Sequence, residues 1–316
     1  MEIVACFDHK FVMPTGVMIY SICANNREED INFHLVCDES VSDKDEKDLT
    51  DTISAFESKG VFFYRTKSAM FKEFPICQNG RLPASAYYRL LLTEILPKTI
   101  NKVLYLDGDC IIRHSLLPLW NIDVEGYAIA AVPDGRDGDI SIYNRLRYSS
   151  QLGYFNSGVM LINLDYWRKN EVVTMFADYV IQYPDRITLA DQDVLNVLFC
   201  KKKLSIPIKY NLICSFLLRT PRWVYRKYEN ELREALKNPV IIHFTGNIKP
   251  WYRHSRFLHP YRSSFFKYQE QTIWKGYTEN KTSIEERLKS FVGDILRFLK
   301  LKVPLNPIFV NVPPVD

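Results

Sequence analysis

The amino-acid sequence predicts an α/β protein with a mostly parallel central sheet that is covered by helices on both faces. Short runs of β-branched and aromatic residues alternate along the chain with segments of helical periodicity, which is the pattern of parallel strands joined by crossover helices. The 316 residues, 47% of them hydrophobic, are enough to bury one large core. Because ligands of such folds bind beyond the carboxyl ends of the strands, the functional residues should follow strands.

Six segments are predicted as strands from their β-branched and aromatic content. They are Ile3 to Phe7, Ile31 to Cys37, Val61 to Tyr64, Lys102 to Leu106, Tyr127 to Val132, and Val240 to Phe244. One helix should begin after Ser42, a favoured N-cap residue, and end at Gly60. Another should run from Ala84 to Leu96 and end before Pro97, which cannot continue a helix.

The composition of the chain changes near residue 250. We predict a catalytic domain over residues 1–250, an aromatic and basic connecting segment over 251–282, and an amphipathic basic helix with a proline-rich tail over 283–316. Ser283 and Glu286 form a capping-box pattern that opens this helix. Its apolar residues, from Ile284 to Leu299, fall on one side and are flanked by Arg and Lys. Such a helix can lie on an anionic membrane surface.

Charge and cysteine content narrow the choice of partners and compartment. The formal net charge is +4, and basic residues crowd the last quarter of the chain. Since no zinc-finger, RNA-recognition or basic-zipper pattern accompanies them, we expect no nucleic-acid partner and favour an anionic membrane or a lipid-linked phosphate. The 7 cysteines include no CxxC pair, which predicts reduced thiols. Without a recognisable signal peptide or an uncharged apolar run of about 18 residues, we expect a cytoplasmic protein, peripheral on the inner face of the membrane.

The strongest chemical signal is an acidic pair that follows the strand ending at Leu106. Asp107 and Asp109 stand two positions apart, so in extended chain their carboxylates leave on the same side, and Gly108 keeps the space between them open. Two such carboxylates repel each other and are best tolerated with Mg²⁺ or Mn²⁺ between them. A solvated turn is one alternative. The nucleophile motif of haloacid-dehalogenase-like phosphatases is another, although Ile111 stands where those enzymes usually carry Thr or Val.

Together with Tyr105 to Asp109, further segments make the chain similar to glycosyltransferase family 8, a retaining group. In order along the chain they are Ile3 to Asp8, Ala86 to Leu90, Phe155 to Leu164, Asp191 to Asn196, and His243 to Trp251. The resemblance implies a GT-A fold, which is a single Rossmann-like domain that binds a nucleotide sugar. It also implies a UDP-sugar donor and dependence on Mn²⁺, with Mg²⁺ as the other possible cation.

The resemblance assigns donor-side roles to individual positions. The residues expected to contact the UDP-sugar are Cys6, Asp8, Lys10, Arg89, Asp107, Gly108, Ser157, Gly246 and Lys249. Among them, Asp8 matches the residue that accepts a hydrogen bond from uracil, and Lys249 matches a phosphate-binding lysine. Gly246 would let the backbone approach the diphosphate closely. His243 would be the third metal ligand, beside Asp107 and Asp109.

Three further positions should face the transferred sugar. The resemblance places Asn156 at the sugar or acceptor, Asp191 at the sugar hydroxyls, and Gln192 under the anomeric carbon. A covalent glycosyl-enzyme would need a carboxylate nucleophile, and Gln192 is a poor one. We therefore expect a front-face, dissociative substitution in which a UDP oxygen helps to deprotonate the acceptor hydroxyl.

The segment Asp134 to Asp139 is similar to a calcium-binding loop but has Arg145 at the twelfth position, where such loops carry a bidentate Glu. We expect a flexible loop over the site, with Asp134 near the acceptor.

The function that these observations favour is transfer of galactose or glucose from UDP-galactose or UDP-glucose to a saccharide acceptor. The acceptor would be lipid-linked, as in lipopolysaccharide or another surface glycan. The alternatives are a metal-dependent phosphatase, a sugar nucleotidyltransferase, and an inactive membrane-attached carbohydrate-binding scaffold. The intact set of Asp107, Asp109, His243 and Lys249 argues against the scaffold.

Overall fold

The computed structural model describes residues 1–66, 85–218, 222–246, 249–252 and 259–279, together with isolated positions between 288 and 299. Within these residues the main sheet has seven strands in the order β3-β2-β1-β4-β7-β6-β8, and a smaller sheet has three, in the order β5-β10-β9. The strands are β1 (Glu2–Phe7), β2 (Ile31–Cys37), β3 (Lys59–Arg65), β4 (Lys102–Leu106), β5 (Cys110–Ile112), β6 (Ile129–Pro133), β7 (Phe155–Asn163), β8 (Lys203–Ser205), β9 (Leu212–Ile213) and β10 (Ile241–His243).

The main sheet is mostly parallel, as predicted. Strand β1 pairs in parallel with both β2 and β4, and β2 pairs in parallel with β3. The exception is β7, which runs antiparallel between β4 and β6. Because β7 carries Asn156 and Ser157 in the opposite direction, it brings them beside the carboxyl end of β4.

Helices cover both faces of the main sheet. They are α1 (Val12–Asn25), α2 (Asp43–Ser54), α3 (Ser85–Tyr88), α4 (Leu92–Ile95), α5 (Leu117–Trp120), α6 (Ile140–Leu146), α7 (Leu164–Lys169), α8 (Val172–Gln182), α9 (Ala190–Phe199), α10 (Cys214–Leu218), α11 (Arg222–Lys237) and α12 (Arg262–Gln269). Alternation along β1 sends Ile3, Ala5 and Phe7 into one apolar core and Val4 into another. The sheet is thus buried on both sides, which explains its continuous apolar strands.

Two of the predicted element boundaries were wrong. The helix predicted to begin after Ser42 is α2, which ends at Ser54, and Gly60 lies in β3, where it pairs with Asn32. The chain reverses instead through Ser58, whose φ is 56°. The helix predicted to continue to Leu96 is divided, because residues 89–91 form a 3-10 turn between α3 and α4.

The segment after residue 250 packs onto the α/β core where it is described. Trp251, Tyr261 and Phe265 belong to the same apolar cluster as β1 and α1. The ring of Trp274 lies against Gly16 of α1, so closely that a Cβ atom there would overlap it.

The predicted C-terminal helix lies largely outside the described residues, as do Ser283 and Glu286. At the described positions Leu288, Val292, Ile295 and Leu299, the apolar side chains are between 42% and 56% exposed. Their spacing places them on one side of a helix. No helix among the described residues has the length and apolarity to span a bilayer. The cysteines in the described part of the chain are free thiols.

Candidate active site

The acidic pair lies where the main sheet meets the smaller one. Strand β4 ends at Leu106, directly before Asp107, and β5 begins at Cys110. The turn between them is closed by a hydrogen bond of 3.1 Å from Cys110 N to Asp107 O. In the smaller sheet Cys110 pairs with His243 of β10. As a result, His243 Nε2 lies 3.1 Å from Asp109 Oδ1 and 3.6 Å from Asp107 Oδ2. The structure therefore brings the three predicted metal ligands together.

Gly158 on β7 makes room for this convergence. Its carbonyl oxygen accepts a hydrogen bond of 2.8 Å from Asp107 N, so the two backbones are adjacent. A Cβ atom at Gly158 would lie 2.5 Å from Asp107 Oδ2 and closer than 3.0 Å to His243 Cε1. Any side chain here would displace the two ligands. Sequence reasoning included Gly158 in a matching segment but gave it no role.

The donor set fits a hard divalent cation. Two carboxylates and one imidazole suit Mn²⁺ or Mg²⁺. The thiol of Cys110 lies in the same cluster as Asp109 and His243. However, Cys110 packs into the apolar core, and burial and the neighbouring carboxylates raise the pKa of its thiol well above its usual range. Since hard cations such as Mn²⁺ and Mg²⁺ prefer oxygen ligands to sulfur, Asp107 is the better third member of the set.

Lys249 approaches Asp109 from the side away from His243. Its ammonium group donates hydrogen bonds to the Asp109 carboxylate and to Phe244 O, the latter at 2.8 Å. Burial alone would raise the pKa of Asp109, but Lys249 and His243 hold it below its usual range. Three positions before this lysine, Gly246 has a φ of 91°, a conformation that favours glycine. A buried cation thus stands directly beside the proposed metal ligands.

Arg89 is a second buried cation and connects three parts of the site. Its guanidinium donates to Asp107 Oδ1 and to Ser157 O, each at 2.9 Å, and lies 3.3 Å from Asp191 Oδ2. It also stacks over the ring of Tyr105, 4.4 Å from the centroid. Arg89 therefore orients both the acidic pair and the carboxylate proposed to face the sugar.

Asp191 is a buried carboxylate whose charge is only partly compensated. Ser157 Oγ donates a hydrogen bond of 3.0 Å to its Oδ2. Burial raises the pKa of Asp191 to about 6, although Arg89 acts in the opposite direction. The environment of Asp191 therefore disfavours its charged form, which is common at functional sites.

Gln192, Asn156 and Asp134 form one hydrogen-bonded group next to Asp191. Gln192 Oε1 accepts from Ser157 N and from Asn156 Nδ2, both at 3.1 Å, and Gln192 Nε2 donates to Asp134 Oδ2 at 3.3 Å. Asn156 Nδ2 also donates to Asp134 Oδ2 at 3.2 Å. Asn156 and Gln192, placed at the sugar by the resemblance, are thus in contact with each other and with Asp134, which we expected near the acceptor.

Asp8, predicted to contact uracil, lies at the carboxyl end of β1, near Cys6 and Lys10, which were predicted to contact the UDP-sugar. Asp8 caps the following 3-10 turn by accepting a hydrogen bond of 3.0 Å from Lys10 N. Lys10 is exposed and Cys6 is partly buried. Gly108 is needed for packing, because a Cβ atom there would overlap Thr15 Oγ1 of α1.

The segment from Asp134 to Asp139 is anchored, whereas we expected a flexible loop. Asp137 is 1% exposed and accepts hydrogen bonds from Tyr143 OH, Tyr228 OH and Lys227 Nζ, the last at 2.6 Å. It also accepts one of 3.0 Å from Tyr154 N. A buried carboxylate with this many donors fastens the segment to α6 and α11, so Asp134 is held in place at the site.

The sequence analysis did not predict the buried ion pair between Asp193, which directly follows Gln192, and Arg145. Asp193 is 0% exposed, and Arg145 Nη1 of α6 donates to it at 2.7 Å. Asp193 also accepts from Thr188 N and Leu189 N, each at 2.7 Å. These bonds hold a turn in which Ala190 has a φ of 50°, which is unusual for a residue with a side chain. The Asp193–Arg145 pair therefore fixes the turn that presents the two following site residues.

Comparisons with known proteins relate the chain to sugar-transferring enzymes. The model of glycosyl transferase family 8 matches residues 2–255. General stress protein A of Bacillus subtilis is 28% identical over 281 residues, which cover 87% of this chain and 94% of that protein. A lipopolysaccharide 1,2-glucosyltransferase of Escherichia coli is 29% identical over 248 residues, covering 78% of this chain and 71% of that one.

A solved structure with the same fold is that of the galactosyltransferase LgtC, in complex with donor and acceptor sugar analogs. It superimposes with a TM-score of 0.73 and 24% identity, covering 92% of this chain and 100% of that chain. The predicted GT-A fold is confirmed by this match.

Proposed function

This chain belongs to glycosyltransferase family 8, and we propose that it transfers galactose or glucose from a UDP-sugar to a saccharide acceptor with retention of configuration. The observation that carries the proposal is the convergence of Asp107, Asp109 and His243, with Lys249 beside them. A sugar diphosphate requires positive charge at its leaving group, and this is the place where the chain can supply it.

On the donor side, Asp107, Asp109 and His243 would hold Mn²⁺, or Mg²⁺ in its place. When bound, the cation would act as a Lewis acid that stabilises the negative charge of the departing UDP. The ammonium group of Lys249, now paired with Asp109, would bind a phosphate oxygen and add further positive charge. Because these groups are fixed before the donor arrives, they need little reorganisation as charge develops.

On the sugar side, Asp191 would accept hydrogen bonds from sugar hydroxyl groups while Arg89 holds it in position. Gln192 would lie under the anomeric carbon, where its carbonyl dipole can stabilise positive charge on the sugar. Since an amide is a poor nucleophile, we favour front-face substitution, with a UDP oxygen helping to deprotonate the acceptor hydroxyl. Asp134, held by Asn156 and Gln192, would contact the acceptor.

We further propose a lipid-linked acceptor at the inner face of a membrane. Support comes from the exposed apolar side chains at Leu288, Val292, Ile295 and Leu299 and from the basic residues near them in the sequence. An amphipathic basic helix binds anionic lipid surfaces. The related E. coli protein, a lipopolysaccharide 1,2-glucosyltransferase by name, supports an acceptor of this class.

The test is release of UDP from a panel of UDP-sugars, measured with Mn²⁺, with Mg²⁺ and with a chelator. We expect release from UDP-galactose or UDP-glucose that requires the cation and is lost in Asp109→Ala. Asp51→Ala is the matched control, because Asp51 is an exposed carboxylate paired with Lys47 on α2. Hydrolysis of simple phosphate esters without any UDP release would overturn the proposal in favour of a phosphatase. Formation of UTP and a sugar 1-phosphate when pyrophosphate is added to the UDP-sugar would overturn it in favour of a nucleotidyltransferase.

A further inference from the structure

We propose that Asn211 is a positioning residue that fixes which nitrogen of His243 faces the cation and connects this ligand to Asn156. The role of the cation rests on the function proposed above. The hydrogen bonds that Asn211 makes follow from the geometry of the buried side chains alone.

Two neighbours fix the orientation of the Asn156 amide. A backbone N–H must meet an acceptor, and Gly158 N donates to Asn156 Oδ1 at 3.0 Å. On the other side, Asn156 Nδ2 lies 3.2 Å from a carboxylate oxygen of Asp134, which requires a donor. Both neighbours demand the same orientation, so the oxygen and nitrogen of Asn156 are assigned without ambiguity.

The orientation of Asn211 follows from that of Asn156. Asn156 Oδ1 lies 2.8 Å from the Asn211 side chain and can only accept, so the Asn211 atom facing it is Nδ2. Asn211 Oδ1 therefore points to His243 Nδ1, at 2.9 Å. An amide oxygen cannot donate, so Nδ1 of His243 must carry the hydrogen.

This assignment determines the chemistry of the other ring nitrogen. With Nδ1 protonated and bonded to Asn211, Nε2 is the atom that faces Asp109 Oδ1 at 3.1 Å and Asp107 Oδ2 at 3.6 Å. A neutral imidazole in this tautomer presents a lone pair at Nε2, which is what a metal ligand requires. Partners of this kind, bonded to the far nitrogen of a ligating His, orient the ring and raise its basicity.

Burial makes the arrangement rigid. Asn211 is 0% exposed, so neither of its polar groups can turn to water, and a buried amide left unpaired destabilises the fold. The residue directly precedes β9, which pairs in parallel with β10, the strand that carries His243. The pairing of β9 with β10 and the side chain of Asn211 therefore both hold the imidazole of His243 in place.

The same amide links the metal side of the site to the sugar side. Asn156, which accepts from Asn211, donates to Gln192 Oε1 at 3.1 Å. Two buried amides therefore connect the imidazole of His243 to the side chain proposed to lie under the anomeric carbon. A change at Asn211 should disturb both cation binding and the placement of Gln192.

The direct test is ¹⁵N NMR of the histidine rings in the selectively labelled full chain at pH 8. The His243 signal is assigned by its loss in His243→Ala. We expect Nδ1 to carry a hydrogen both in the metal-free protein and with Mg²⁺ and UDP. A His243 ring with Nδ1 unprotonated in either state would overturn the proposal, whether or not the protein transfers sugar.

Variants separate the two links of Asn211. Asn211→Leu removes both and should weaken Mn²⁺ binding roughly 10- to 100-fold, measured by electron paramagnetic resonance in the presence of UDP. Asn211→Asp keeps an oxygen for His243 but cannot donate to Asn156, so it should retain Mn²⁺ affinity and lose turnover. Asn26→Leu is the control, since Asn26 is a buried amide at the C-terminal end of α1 whose side-chain hydrogen bonds, among the described residues, are to backbone groups.

The outcomes distinguish this inference from the proposed function. Wild-type Mn²⁺ affinity in Asn211→Leu, or equal loss in the Asn26→Leu control, would contradict the positioning role. If the wild-type protein binds no Mn²⁺ and releases no UDP, the proposed function fails, while the NMR result still decides the role of Asn211.

Discussion

Replacement of Asp191 by Asn should stabilise the protein while it impairs catalysis. Burial raises the pKa of this carboxyl from its ordinary value of 3.8 to about 6. A carboxyl with a raised pKa binds its proton more tightly in the folded protein, so its contribution to stability is complete below pH 3.8 and is lost as the pH rises through 6. An asparagine stays neutral and does not suffer this loss.

The magnitude follows from the two pKa values. Their difference corresponds to about 3 kcal/mol of unfolding free energy. Asp191→Asn should therefore be more stable than the wild type by up to about 3 kcal/mol at pH 7.5 and by roughly half of that at pH 5. Ser157 and Arg89 remain next to the amide, with Arg89 still paired with Asp107.

The assay is urea denaturation of both proteins at pH 5 and pH 7.5, without added cation. Asp178→Asn on the exposed face of α8 is the control and should change the unfolding free energy by less than about 0.5 kcal/mol. In Asp191→Asn, kcat/KM should fall roughly 10- to 100-fold, as expected for a lost hydrogen bond to a charged group. The reasoning is refuted if Asp191→Asn is no more stable than the wild type at pH 7.5, or if the difference does not grow with pH.

Three further predictions concern other parts of the molecule. Gly158→Ala places a Cβ atom against His243, so Mn²⁺ affinity should fall at least about 10-fold; wild-type affinity in a titration would show that the space is not needed. Arg145→Met leaves the buried Asp193 without its cation and should lower the unfolding free energy by about 3–5 kcal/mol; a loss below about 1 kcal/mol in urea would show that the pair is dispensable. Truncation after Thr278 should leave UDP release in solution intact and abolish co-sedimentation with anionic vesicles; unchanged vesicle binding would exclude the anchor.

Local patterns in the sequence were sufficient to predict five strands of the main sheet, β1 to β4 and β6, and the acidic pair. After their first residue, strands β1 and β4 are continuous apolar runs of the kind that a doubly covered sheet requires, and Asp107 follows β4 directly. Boundaries set by a single residue were less predictable. The chain turns at Ser58 rather than at Gly60, because the pairing of Gly60 with Asn32 in the sheet outweighs the local preference of glycine for helix ends.

The residues that complete the site could not be predicted from the sequence, because their roles depend on contacts distant along the chain. Asn211 acquires its role from His243 and Asn156, which lie 32 and 55 residues away. In the sequence, Asn211 is a polar residue directly before the apolar residues Leu212 and Ile213. This pattern indicates only that a buried amide there needs hydrogen-bond partners. Asp193 stood inside a matching segment, but its partner Arg145 lies 48 residues earlier. Pairings of this kind become visible only in three dimensions.

The central claim is that Asp107, Asp109 and His243 together hold the cation that stabilises the leaving UDP. Anomalous X-ray scattering at the manganese edge, from crystals grown with Mn²⁺ and UDP, tests it most directly. The account predicts one strong peak within about 2.0–2.4 Å of a ligand atom from each of the three side chains, with Lys249 against a phosphate oxygen. A peak elsewhere, or bound UDP with no manganese between these residues, would contradict it.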